Sequence, residues 1–184
     1  TVGAIGGWFV GASWGQPCYY NYGTGGNVYY EGDTVYIEGD EYCSTTEYYQ
    51  EAEQIAAAVP EYTEQQSEEM DWLPLGVWAV TQEDVTDSNR VLQLAVNKEG
   101  VIAGTYYNET TDVSIPVEGT VDKDTQRAAW RLMDEKNSGV VMETGVYNLT
   151  NDVTSALLHF GADKTQEVSL VRIEQPEEDG TSTP

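Results

Sequence analysis

Seven polar turn segments cut residues 75–174 into eight short runs, and this punctuation constrains the fold more than anything else in the chain. The runs are Leu75–Gln82, Val91–Asn97, Val101–Tyr107, Val113–Val121, Gln126–Met133, Gly139–Asn148, Val153–Phe160 and Thr165–Glu174. Strand, short turn and strand, repeated without a helical period, predict an antiparallel meander. Eight such strands suffice to close an up-and-down barrel and remove both sheet edges. A barrel of this size fills its interior with side chains or holds one small ligand. The fold class is therefore mainly β, with the barrel over 72–174.

The pattern inside the runs says which side chains face inward. Ala128, Trp130 and Leu132 alternate with Arg127 and Arg131, and Leu92, Leu94 and Val96 alternate with Gln93 and Asn97. Other runs are apolar on both faces, such as Ala156–Phe160 and Val77–Val80. Strands of that kind need a cover on the outside of the sheet. The candidates are the N-terminal arm, the helix described next, or another subunit.

Upstream, Val28–Glu31 and Thr34–Glu38 flank Gly32-Asp33, a hairpin signal. Ser44-Thr-Thr-Glu47 matches a capping box and opens a predicted helix that Pro60 ends. Tyr48, Ala52, Ile55 and Val59 share one face of it. The acidic stretch 61–71 reads as a second short helix or a linker. Residues 1–16 carry no charge, and their large apolar residues Val2, Ile5, Trp8, Phe9, Val10 and Trp14 must pack on their own domain or on a neighbour. A strand-capable segment of this kind can add to another subunit's sheet. These residues are the candidate assembly contacts of a homo-oligomer or homopolymer. The organisation expected is thus an arm (1–16), a hairpin and helix (17–71), the barrel (72–174) and an acidic tail (175–184).

Thirty-two acidic residues stand against eight basic ones, a formal charge of −24. Nucleic acid and anionic membrane surfaces would be repelled, while cations and basic partners are favoured. No apolar run reaches the length of a membrane span. The chain opens on Thr1 rather than Met and reads as a mature secreted form. Its two cysteines, Cys18 and Cys43, flank the predicted hairpin, and their number and the secreted-looking composition predict a disulfide.

Chemistry is sparse. The single histidine, His159, falls inside an apolar strand and reads as a core residue; no nucleophile elbow and no phosphate loop accompanies it. No enzyme activity and no cofactor is expected. Asp84 and Asp87 in one turn, and Asp122 and Asp124 in another, offer oxygens for a surface Ca²⁺, but neither turn has EF-hand spacing. Asn108 and Asn148 open N-x-[ST] sequons at strand ends.

Two resemblances attach to particular segments. GNVYYEGDTVYIEGD, EYYQEAEQIA, WLPLGVWAV, LQLAVNKEGVIAGTYYN, VEGTVDKDTQRAAW, ETGVYNLTND and LLHFGADKTQ resemble, in words and order, a family of secreted planctomycete proteins described as mu-protocadherin-like cell-surface proteins. That resemblance implies an extracellular or cell-surface location and no mechanism. The order Gly76-Val-Trp78, Gly104-Thr-Tyr106, Glu118-Gly-Thr120, Ala129-Trp130 and Gly145-Val-Tyr147 is similar to the avidin-like barrel and implies topology alone. Two functions follow as expectations. The first is a non-enzymatic extracellular subunit that assembles through its arm into a filament or surface layer. The second is a small-ligand-binding barrel, to which Trp78 and Trp130 would contribute. A solidly filled interior favours the first and an open aromatic pocket the second.

Overall fold

The computed structural model describes residues 2–9, 15–82 and 88–174; Val10, Trp14, Asp84, Asp87 and the tail from 175 lie outside the described residues, as does the side chain of Val2. The barrel is present. Strands β4 (Trp72–Thr81), β5 (Arg90–Asn97), β6 (Val101–Asn108), β7 (Val113–Val121), β8 (Arg127–Leu132), β9 (Val140–Gly145), β10 (Val153–Phe160) and β11 (Thr165–Arg172) pair antiparallel in sequence order. Pairing of β11 with β4 closes the ring. The sixth predicted run ends early: after Gly145 the chain turns into a 3-10 helix, Val146–Thr150, whose Val146, Tyr147, Asn148 and Leu149 are buried.

Preceding the barrel are a three-stranded sheet, β1 (Val28–Glu31), β2 (Thr34–Ile37) and β3 (Asp40–Ser44), then α2 (Thr45–Ala57) and α3 (Glu64–Glu68). Ser44 caps α2 as the capping box requires: its hydroxyl accepts from the Glu47 amide, and the Glu47 carboxylate accepts from the Ser44 amide. Tyr48, Tyr49, Ala52 and Ala56 form the buried face of α2. That face lies on the outer side of β7, β8 and β9, while the outward Leu157 of β10 is covered by Tyr20, Tyr22 and Val28.

Inside the barrel, bulky and small residues alternate. Trp78, Leu92, Leu94, Ile102 and Leu170 are fully buried, and on neighbouring strands Gly104 stands opposite Leu94 and Gly119 opposite Ile102. A Cβ at Gly119 would run into the carbonyl oxygen of Ala129, so β7 and β8 meet too closely there for any side chain. Large beside small fills the tapering interior of a small barrel.

The N-terminal arm departs from the strand expectation. Val2–Trp8 form a short helix, α1, on the barrel end made by the β5–β6, β7–β8 and β9–β10 connections. Ile5 and Phe9, four residues apart, enter the core of their own barrel, and Trp8 packs beside them. Lys98 lies 5.3 Å above the Trp8 ring. Helical spacing brings Ile5 and Phe9 to one side; burying them overrides the poor helix propensity of a glycine-rich sequence. Arg172 completes the seal, stacked 4.1 Å from the Trp78 ring and donating to the Leu75 and Leu149 carbonyls.

The cysteines are a second departure. Both are free: Cys18 is exposed and its amide donates to the Gln126 side chain, while Cys43 lies half-buried on β3 against α2. Tyr20 and Tyr22, just past Cys18, pack down onto the barrel, while β1–β3 carry Cys43 back to the α2 side. Burial, with Glu51 and Glu47 nearby, pushes the Cys43 thiol up to about 11, where it stays protonated at neutral pH.

Candidate functional site

At the barrel end opposite α1, the β6–β7, β8–β9 and β10–β11 connections surround a mouth. A cavity of about 210 Å³ opens there. Trp130, 2% exposed and held between Gly119 of β7 and Met142 of β9, lines its inner part. Leu92, Met142 and Leu158 continue the apolar wall; Tyr106, Phe160, Asn137 and Arg90 lie around them. The rim is unusually apolar, with Phe160 45%, Val113 45% and Met133 42% exposed.

Two polar groups come together at this mouth. Leu92 faces Tyr106 and Arg90 faces Asn108 across β5 and β6, so Arg90 and Tyr106 are diagonal neighbours. Asn137 is committed to its own turn, donating from its amide and side chain to Asp134. Four depressions are larger, from about 260 to 660 Å³, the two largest of them outside the barrel beside α2 and beside β1, but all are more open to solvent. The mouth encloses its contents better, and a mouth is where barrels hold ligands.

A second polar constellation lies on the outer wall under α2. Arg127, buried on β8, donates to Glu143 at 2.7 Å, to Glu51 of α2 at 2.6 Å and to the Tyr48 carbonyl. Its guanidinium stacks 4.0 Å from the Tyr48 ring. His159 Nε2 stands 3.5 Å from Glu143, and its Nδ1 is 2.8 Å from the Thr165 hydroxyl. Burial would raise the Glu143 carboxyl, but Arg127 and His159 outweigh it and hold it below the ordinary carboxylate value. Glu143 and His159 are both fully enclosed, so no substrate reaches them. The cluster acts as a staple between helix and barrel.

The residues singled out from sequence distribute as follows. Trp130 lines the mouth, whereas Trp78 lies deeper, beneath Arg172. His159 is enclosed, as expected for a core residue. Asn148 is not available to a glycan: it is buried, and its amide nitrogen donates to the Tyr20 carbonyl and the Thr154 hydroxyl. Asn108 spends its side-chain oxygen on the Thr110 and Thr111 amides. Asp122 caps its own turn through the Asp124 amide and the Thr125 hydroxyl. Among the described residues, no three acidic, His or Cys side chains gather in a metal-binding group. No helix among them is long and apolar enough to cross a membrane.

Sequence reasoning missed Arg90, Tyr106 and the mouth. Their signal was present in the parity of β5 and β6, where Arg90 and Leu92 share a face. No family model, no curated protein and no solved structure matches the chain.

Proposed function

We propose that the chain is a non-enzymatic, extracellular binding barrel that holds a small apolar ligand, or the apolar part of one, in its open mouth. The observation that carries this is the cavity of about 210 Å³ walled by Trp130, Leu92, Met142 and Leu158 inside an otherwise filled barrel. Its size suits a compact group, since ligand pockets for larger molecules run from about 300 Å³ upward. A neutral naphthylamine probe should bind saturably at one site per chain, with a change in tryptophan emission from Trp130. Leu158→Trp, which fills the cavity, should abolish the binding while leaving the circular dichroism of the barrel intact. Equal binding by the wild type and by the filled variant would reject the mouth as the site.

One observation favours a second reading, the self-assembling surface subunit. The side chains that seat α1 in the barrel end are Ile5 and Phe9, and residues 10–17 join α1 to the remainder. The same contacts form equally when α1 comes from a neighbouring copy, which is domain swapping. Head-to-tail exchange of this kind propagates a filament unless the rotation closes a ring. Under this reading, sedimentation shows polymers that grow with concentration and vanish when residues 1–9 are deleted. A full-length protein that stays monomeric at millimolar concentration rules it out.

A further inference from the structure

We infer that the mouth selects an anionic amphiphile, a short aliphatic carboxylate whose tail lies on Trp130 and whose carboxylate is clasped by Arg90 and Tyr106; this rests on the binding-barrel reading. The chain carries 32 acidic residues and only eight basic ones, so a random lining residue that is charged would be negative. The charged side chain that lines this cavity is nevertheless a positive one, Arg90.

The fate of the other cations sharpens the point. Lys98 pairs with Asp71, Arg127 with Glu51 and Glu143, Arg131 with Glu118, and Arg172 with Asp152. Arg90, Lys123, Lys136 and Lys164 form no ion pair among the described residues, and of these four only Arg90 lines the cavity. Its guanidinium presents a planar fork of donors that matches a carboxylate. The Tyr106 hydroxyl, on the diagonal position of the next strand, supplies a further donor. The nearby carboxylates of Asp112 and Asp134 are engaged elsewhere, accepting from the Tyr107 hydroxyl and from Asn137.

The tail's length is bounded by the volume. A water's share of liquid volume is about 30 Å³, so a cavity of about 210 Å³ has room for about seven groups of that size, which suits the tail of an eight-carbon acid. Apolar walls with Arg90 at their outer end, and Lys164 5.1 Å above the Phe160 ring on the rim, orient such a molecule with its charge outward. This arrangement discriminates an acid from the matching alcohol, because the alcohol leaves the guanidinium without a charged partner.

The test compares sodium octanoate with 1-octanol, each displacing the neutral naphthylamine probe from wild-type protein and from Arg90→Gln. We expect octanoate to displace the probe at a concentration roughly tenfold below that of octanol, a difference of about 1.4 kcal/mol. Arg90→Gln should erase the preference, and Arg90→Lys should keep part of it. The quantity read is a ratio within each variant, so a packing defect that weakens both ligands leaves it unchanged. Equal displacement by acid and alcohol in the wild type, or a preference that survives Arg90→Gln, overturns this inference while leaving the binding barrel standing. Failure of the neutral probe itself to bind removes the barrel reading as well.

Discussion

Arg127→Ala should destabilise the protein by about 3–5 kcal/mol, the cost typical of breaking a buried ion pair by removing one partner. Glu143 is fully enclosed and has Arg127 at 2.7 Å, so truncating the arginine strands a buried carboxylate beside a histidine. Arg127 also ties α2 to the barrel through Glu51 and the Tyr48 carbonyl. The loss is a large share of a total stability that is ordinarily 5–15 kcal/mol. Urea unfolding monitored by circular dichroism reads it directly. The pair Arg127→Met with Glu143→Leu should recover much of the loss, because it removes both charges and keeps the volume. Recovery no better than the single variant would show that the charges, not the packing, hold α2 in place.

The same pair fixes a direction with pH. Glu143 has its folded-state value held below its unfolded value of about 4.3. A depressed carboxylate contributes stability that is present above the unfolded value and lost as pH falls through the folded one. The wild type should therefore lose stability below about pH 4.3, and Glu143→Gln should lose less over that window, measured as the slope of stability against pH.

Trp78→Ala should cost a comparable amount, about 3–5 kcal/mol, as expected for deleting a fully buried indole. The site has little room to collapse, because Trp78 is pinned on one side by Leu92 and capped on another by Arg172. Removing the ring also deprives the guanidinium of its stacking partner, while its bonds to the Leu75 and Leu149 carbonyls remain. Arg172→Met isolates that second contribution and should cost less than Trp78→Ala. Thermal unfolding of both variants separates the two. A Trp78→Ala loss under 1 kcal/mol would mean that the barrel interior is far more plastic than its packing indicates.

Most of the barrel was legible because its strands carry a period-two signal and end at Gly, Asn and Asp turns. All eight strands fall on the expected runs, although the sixth stops at Gly145 instead of Asn148, and the capping box at Ser44 placed the start of α2 to the residue. What failed did so for identifiable reasons. α1 was read as part of a strand-capable arm because residues 1–16 are apolar and uncharged, whereas burial of Ile5 and Phe9 on one side seats the segment as a helix. β3 was missed because Asp40–Ser44 is exposed and polar, with nothing in it but pairing to β2 to make it a strand. The disulfide was inferred from a count of two, and a count carries no distance. Arg127 was placed on the face opposite Ala128 and Trp130, and its pairing with Glu143 was missed, since parity along a strand does not reveal that a helix will cover that face. The mouth is a product of closure, where residues from several strands meet that no local window places together.

Closure of the ring by β11 against β4 has a kinetic consequence. Leu170 sits across from Val80, and Thr81 from Ser169, so the final seam joins segments from the two ends of the domain. Loop entropy must be spent before this seam returns any stabilisation, which places the protein among slow folders of high contact order. Until the seam closes, the chain exposes two raw strand edges, each a template for pairing with another unfinished chain. The hazard is therefore concentrated in the interval between synthesis of β4 and arrival of β11. Crowding of nascent chains in that interval is expected to lower the yield of native protein, even though the finished barrel exposes no edge at this seam.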